Sequence, residues 1–325
     1  MIADLHLDAL LDVVERRELG DDDAFAQRHL PMLEAAGVVR VQVLPAFVDD
    51  RHLPESALRV TIQQLDAARR EADRSDGRLR IVEGTVELRE AIADGAIAGI
   101  LSLEGVEALG RDPGMIRTLH RLGVRMAGLT WNRANAFADG LAEQTGAGIT
   151  GLGFELLDEM GQLGMALDLS HLSPRGCELA LERYGGPVLA SHANAAAVFA
   201  SPRNLADDVL SGVGERGGVV GLCAIPAFVG PGDPAQRLAE HHHHIAAVAG
   251  ADAVAFGADF CGFFGDGIDP PLLPEQPTDV DTMLARQAEP PRETFYADVL
   301  SAIGQPLDGA LAWGNAVRFL EGVLA

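Results

Sequence analysis

The sequence contains no lysine: all 25 of its basic residues are arginine. Without a lysine amine there can be no Schiff base, which excludes pyridoxal-phosphate enzymes and lysine aldolases. A Walker phosphate-binding lysine is excluded as well, and no carboxylated lysine can bridge two metal ions. Cysteine is scarce. Cys177, Cys223 and Cys261 are odd in number and far apart, so there is neither a disulfide framework nor a CxxC zinc site, and a reducing compartment is expected. Aromatics make up only 5% of a chain that is 48% hydrophobic, so Ala, Val and Leu must fill its core. Positive charge is outweighed, leaving a net charge of −23. Polyanions and anionic membranes are repelled by such a surface, so neither nucleic acid nor membrane is an expected partner. There is no stretch of about 18 uncharged apolar residues. The N-terminal MIADLHLDALLDVVERR has no basic segment ahead of its apolar run and does not read as a signal peptide. The expected location is the cytoplasm.

What the sequence does hold is alternation. Eight short apolar runs occur at 2–7, 38–44, 97–103, 124–130, 165–170, 187–191, 219–225 and 253–258. Helical patterns separate most of them; residues 55–74 form one and residues 152–163, stopped by Gly164, another. Strand–helix alternation predicts a parallel sheet, and eight units predict a closed (β/α)₈ TIM barrel, an α/β fold. With no linker in the sequence, residues 1–325 are expected to form a single domain. Two connections, 131–151 and 262–292, are polar and rich in Gly, Pro or Asp, and both follow strands at the end where barrel active sites form.

Metal-competent residues cluster at the ends of these runs. The first ends His6-Leu7-Asp8, and on a strand residues two apart share a face. The third ends in Glu104, whose two oxygens can each bind an ion. The fifth and sixth end Ser170-His171 and Ser191-His192. A lone histidine after a strand is more often a satisfied core residue than a ligand. Two Ser-His endings on consecutive runs, together with His6, Asp8 and Glu104, shift those odds and suit Zn²⁺ or a similar ion. Asp259, after the eighth run, is placed to shuttle a proton. Asp168 has the wrong strand parity for a ligand and is assigned a supporting role. The run His241–His244 turns about 100° per residue on a helix, so it cannot close on one ion; its expected role is structural or at the surface.

In these segments the chain resembles the membrane (renal) dipeptidase family of the amidohydrolase superfamily. The resemblance runs through AGVVRVQVLPAFV (36–48), LSLEG (101–105), GLTWNRANAFADG (128–140), LDEMGQLGMALDLSHLS (157–173), PVLASH (187–192), RNLADD (203–208), residues 241–260 and WGNAVRFL (313–320). It implies that His6 and Asp8 bind one metal, His171 and His192 the other, and that Glu104 bridges them. It also implies that Asp259 shuttles a proton and that Arg203 binds a substrate carboxylate. Three positions depart from the family. Trp131 stands where relatives carry a carbonyl-polarising histidine. Cys223-Ala224-Ile225 replaces an Asn-Phe-Tyr that is common there, and Cys261 replaces an Asp. Trp131 and Ile225 are expected to make the substrate site smaller and more apolar.

The expected activity is zinc-dependent hydrolysis of a dipeptide or similar small amide through a hydroxide that bridges two divalent ions. The alternatives are another hydrolytic or biosynthetic tailoring reaction at the same site, or a non-catalytic metal-binding relative. The expected partner is a small-molecule or dipeptide substrate, and a homodimer is allowed for.

Overall fold

The computed structural model describes residues 1–35, 39–262, 290–306 and 309–325. Among them are nine strands: β1 (Ile2–Asp4), β2 (Val39–Phe47), β3 (Leu79–Ile81), β4 (Ile97–Glu104), β5 (Val124–Gly128), β6 (Ala166–Asp168), β7 (Val188–Ala190), β8 (Val219–Leu222) and β9 (Val254–Phe256). All pairings between them are parallel. Eight strands close into a ring, because β1 pairs with both β2 and β9 while β2 pairs with β4. These eight are the runs read from the sequence, and the fold is a (β/α)₈ barrel. Strand β3 is the addition. It pairs with Ile97–Gly99 on one edge of β4, the edge whose upper half, Leu101–Glu104, holds β5. Its three residues, LRI, are too short to show a period.

Alternation decides which side chains fill the ring. Ala3, Val41, Val43, Ala98, Ile100, Met126, Ala166, Leu189, Val219 and Ala255 come from all eight strands and form one buried cluster. Small residues dominate it, as the shortage of aromatics required. The C-terminal helix Asn315–Val323 adds Ala316, Phe319, Leu320 and Val323 to this cluster. Its Asn315 donates to Val254 O at 2.7 Å, at the start of β9, so the helix covers the N-terminal end of the barrel. Truncating Phe319 to Ala would cost about 3–5 kcal/mol. Between strands and outer helices lies the larger core, with Leu10, Phe25, Leu44, Leu101, Leu119, Leu156, Leu167, Leu210 and Phe256.

The two helices read from the sequence occupy Ala57–Arg74 and Gly151–Gln162. Thr150 caps the second by accepting from Gly153 N, and Gly164 follows its end at φ +69°. The segment 131–151 is an ordered loop. Asp139 accepts from Thr145 Oγ1, Gly146 N and Gly148 N at 2.7, 3.0 and 2.9 Å. Of the second loop, 262–292, residues 263–289 lie outside the described residues. No helix of the described residues is long and apolar enough to cross a membrane.

Candidate metal centre

The apolar runs continue past the hydrogen-bonded strands, and the site is built in that overhang. Only Glu104 is itself a strand residue, the last of β4. His6 lies two residues beyond β1, and Asp8 is the N-cap of the helix Ala9–Glu18. The strand-parity argument for His6 and Asp8 therefore does not apply, although the two side chains do meet. An N-cap aspartate ordinarily accepts from the first helical amides. Asp8 makes no such bond; its Oδ1 lies 3.6 Å from His6 Nε2 instead. His171 and Asp259 occupy left-handed backbone at φ +65° and +56°. That region is costly for residues with a Cβ and is characteristic of functional turns. The His171 turn is held at its carbonyl, which accepts from Leu141 N at 3.0 Å and Thr130 Oγ1 at 3.3 Å. Glycine at two neighbouring positions is steric. A Cβ on Gly221 or Gly257 would lie 2.0 or 1.7 Å from Ser191 O, beside His192.

All six chemical residues converge. Glu104 Oε1 lies 2.8 Å from His171 Nε2, 3.5 Å from His192 Nε2 and 3.7 Å from His6 Nε2. His171 and His192 approach each other at 2.8 Å through their Nε2 atoms. His6 Nε2 is also 3.8 Å from Asp259 Oδ1. Tetrahedral zinc, about 2.0–2.1 Å from each nitrogen, separates its ligands by roughly 3.4 Å, so most of these spacings suit one. Two overlapping donor sets result, His6–Glu104–His192 and His6–Asp8–Asp259. His6 Nε2 and Asp8 Oδ1 are buried without a hydrogen bond among the described residues. Buried polar atoms in a protein are almost always satisfied, so this donor set fits a cation.

The electrostatics point the same way. Burial, the largest influence, lowers the pKa of His6, but Glu104, Asp8 and Asp259 together push it up to about 10. Burial and then the Asp8 charge hold Glu104 well above the usual carboxylate range. Burial and the Arg203 charge hold His171 well below the ordinary histidine value, and burial, His6 and Arg203 do the same for His192. The pair therefore stays neutral and keeps its lone pairs. Asn132 Oδ1 accepts from His171 Nδ1 at 2.8 Å, which leaves Nε2 of that ring bare. Ser191 Oγ holds His192 Nδ1 at 2.7 Å.

Around this floor stand the walls. Trp131 lies between Phe47, with ring centroids 5.0 Å apart, and His171, at 5.9 Å. It borders the metal-competent histidine directly. Arg203 is buried, donates to His192 O at 3.2 Å and lies 5.3 Å over the Phe228 ring. Ile225 joins Cys223, Ala227 and Phe228 in a small apolar cluster that Cys261 packs against. The Cys223 thiol donates to Asp259 Oδ2 at 3.8 Å. The histidine run stays apart from all this. His241 accepts from Ala195 N and faces Val229 O, while His244 pairs with Asp207.

Sequence reasoning missed several supports. Asn132 lay unremarked inside a quoted segment, and Cys223 was noted only as a departure. Asp168 does play a supporting part: its Oδ1 accepts from Ser170 N and Ser191 N at 3.0 and 2.9 Å. Asp4 was not singled out at all, although Asp4-Leu5-His6 and Asp168-Leu169-Ser170-His171 share a pattern that could have revealed it.

The comparisons agree with this geometry. The family model of membrane dipeptidases, peptidase family M19, matches residues 1–272. The dipeptidase verJ of Clonostachys rogersoniana is 33% identical over 210 residues, 63% of this chain and 54% of that protein. The chain spans about half the length of the curated relatives it matches. A crystal structure of the dipeptidase AC, a metallo peptidase of family M19, has a TM-score of 0.82 at 25% identity, covering 100% of this chain and 99% of the other. A Rhodobacter sphaeroides metallo peptidase, liganded with a phosphinate mimic of the dipeptide L-Ala-D-Ala, has a TM-score of 0.81 at 26% identity over 99% of both chains. Membership implies divalent metal ions, for which candidate ligands are in place. The chain belongs to the membrane dipeptidase family, peptidase family M19.

Proposed function

We propose that this chain is a binuclear metal-dependent dipeptidase. The observation that carries the reading is the gathering of three imidazole Nε2 atoms within 2.8–3.7 Å of one Glu104 oxygen. His6 and Asp8 would hold one ion, His171 and His192 the other, and Glu104 would bridge. Nitrogen and carboxylate donors without thiolate suit zinc. When bound, such ions lower the pKa of a water between them and offset charge on the scissile carbonyl oxygen.

The chain's own residues supply the rest. Asp259, with one oxygen toward His6 and the other toward Cys223, takes the proton of the attacking water and returns it to the departing amine. Arg203 binds the free carboxylate of the dipeptide, strengthened by its burial. Trp131 and Ile225 bring apolar surface to the walls and narrow the set of side chains accepted. The whole chain, 1–325, acts as one barrel domain.

A panel of dipeptides containing L- and D-residues tests the reading. Turnover that requires added divalent metal, and that a phosphinate dipeptide mimic blocks, is expected. No turnover on any dipeptide by the metal-loaded protein would refute it. The placement of Trp131 against His171 favours one second reading, hydrolysis of a different small amide, which the same panel extended to lactams and N-acyl amino acids would reveal.

A further inference from the structure

Asp4 is the last residue of β1 and is 1% exposed. Its Oδ1 accepts from His6 N at 2.9 Å and Gln42 Nε2 at 3.2 Å. Its Oδ2 accepts from Ala258 N at 3.0 Å and the Tyr296 hydroxyl at 2.8 Å. An ionised carboxylate offers about four acceptor sites, and four donors fill them here. A protonated acid would turn its own O–H against one of those donors. No cation stands within ion-pair distance of Asp4 among the described residues; burial raises its pKa, and the four hydrogen bonds oppose that shift.

The four donors come from four parts of the chain. Two are decisive: the amide of His6 itself and the amide of Ala258, the residue before Asp259. Asp4 therefore fixes the backbone on which two members of the His6–Asp8–Asp259 set are mounted. Asp168 does the same elsewhere. It ends β6, and its Oδ1 accepts from Ser170 N and Ser191 N, the residues before His171 and His192. Each half of the floor thus has its own strand-end aspartate: Asp4 joins the His6 turn to the Asp259 turn, and Asp168 joins the two histidine turns.

From this division we infer that Asp4 and Asp168 are positioning residues that each stabilise one ion position and not the other. The Tyr296 hydroxyl further makes the His6 half depend on the helix Arg292–Ile303. The inference rests on the binuclear reading above. Partners of this kind typically contribute ten- to a hundred-fold to metal affinity.

The test is calorimetric titration of the metal-stripped full chain with Co²⁺, with His6→Ala and His192→Ala assigning each binding event to its half. Asp4→Asn is expected to weaken the His6 event about ten- to a hundred-fold and leave the other in place. Asp168→Asn is expected to do the reverse. Tyr296→Phe removes one of the four donors and should weaken the His6 event alone, by less; it carries the test if Asp4→Asn does not fold. Folded variants in which both events weaken together, or neither moves, would overturn the assignment. A wild-type chain that binds no Co²⁺ would overturn the binuclear reading along with it; two wild-type events without half-selectivity would overturn only the positioning roles.

Discussion

The floor of the site and its walls are built on different principles. The floor is polar and over-determined: ligand-type side chains stand on strand overhangs whose amides are tied by the carboxylates of buried Asp4 and half-buried Asp168. One wall, the segment 223–228 with Cys261, is apolar, its side chains packed together and its backbone pinned by Asn194 and Asn204. The other wall carries Trp131 on a loop that Asp139 and Asn135 brace from within and that is tied to the floor by Asn132, which accepts from His171 Nδ1. The difference separates two tasks. On the binuclear reading the floor is where ions and water would act, so changes there should remove chemistry. The walls border the floor and touch it through Arg203 at His192 O, Cys223 at Asp259 and Asn132 at His171. Trp131, Ile225 and Cys261, the departures from the family, all lie in the walls.

Substitutions on the floor should be the most damaging. Glu104→Gln removes the carboxylate proposed to bridge the two ions, so both ions and all measurable turnover should be lost, as metal analysis beside an activity assay would show. A Glu104→Gln protein retaining two ions would show that the bridge is elsewhere. Asp259→Asn should lower kcat by about 10²–10⁴-fold while the ions stay, because an amide cannot relay a proton. Loss of metal in that variant would make Asp259 a ligand instead.

Wall substitutions should act on selectivity. Arg203→Met should erase a preference for free acids over C-terminal amides, a contribution of about 1.5–3 kcal/mol or roughly ten- to a hundred-fold. The acid-to-amide ratio is the readout, since losing the contacts to His192 O and Phe228 also loosens the site. Trp131→His should broaden the dipeptide range with two ions retained, and Ile225→Tyr should add to it. A gap of one methylene in a hydrophobic pocket is worth about 10- to 200-fold, so a broadened range must exceed assay scatter. An unchanged profile in the double variant would mean that Trp131 merely packs on Phe47.

The smallest effect concerns loop stability. Burial raises the pKa of Asp139, but hydrogen bonds from Thr145, Gly148 and Gly146 outweigh it and leave the group below its ordinary value. A depressed folded-state pKa gives stability that is present above the unfolded-state value and lost as pH falls through the folded one. Wild type should therefore lose its advantage over Asp139→Asn as the pH drops below about 4. Urea melts at neutral and acid pH would reveal a constant difference if the account is wrong.

The floor was more legible in the sequence than its supports. His6, Asp8, Glu104, His171, His192 and Asp259 could be found because strand-end position and chemical type coincide at each. The strand-parity argument did not apply to His6 and Asp8, because β1 ends at Asp4 and both stand beyond it, Asp8 as a helix N-cap. Turns such as those at His171 and Asp259 depend on left-handed backbone, which non-glycine residues do not advertise. Asp4 was hidden because a buried aspartate looks like any strand-end carboxylate until its four donors, spread from His6 to Tyr296, are brought together in space. Strand β3 was hidden by its length, and the order of the 131–151 loop by polar composition that equally describes mobile surface.

The central claim is that this floor holds two ions, and metal content tests it most directly. Protein purified without chelator, with His241–His244 replaced by residues that do not bind metal, should approach two zinc or other divalent ions per chain after reconstitution. A value that stays near zero after zinc reconstitution of that folded protein would contradict it.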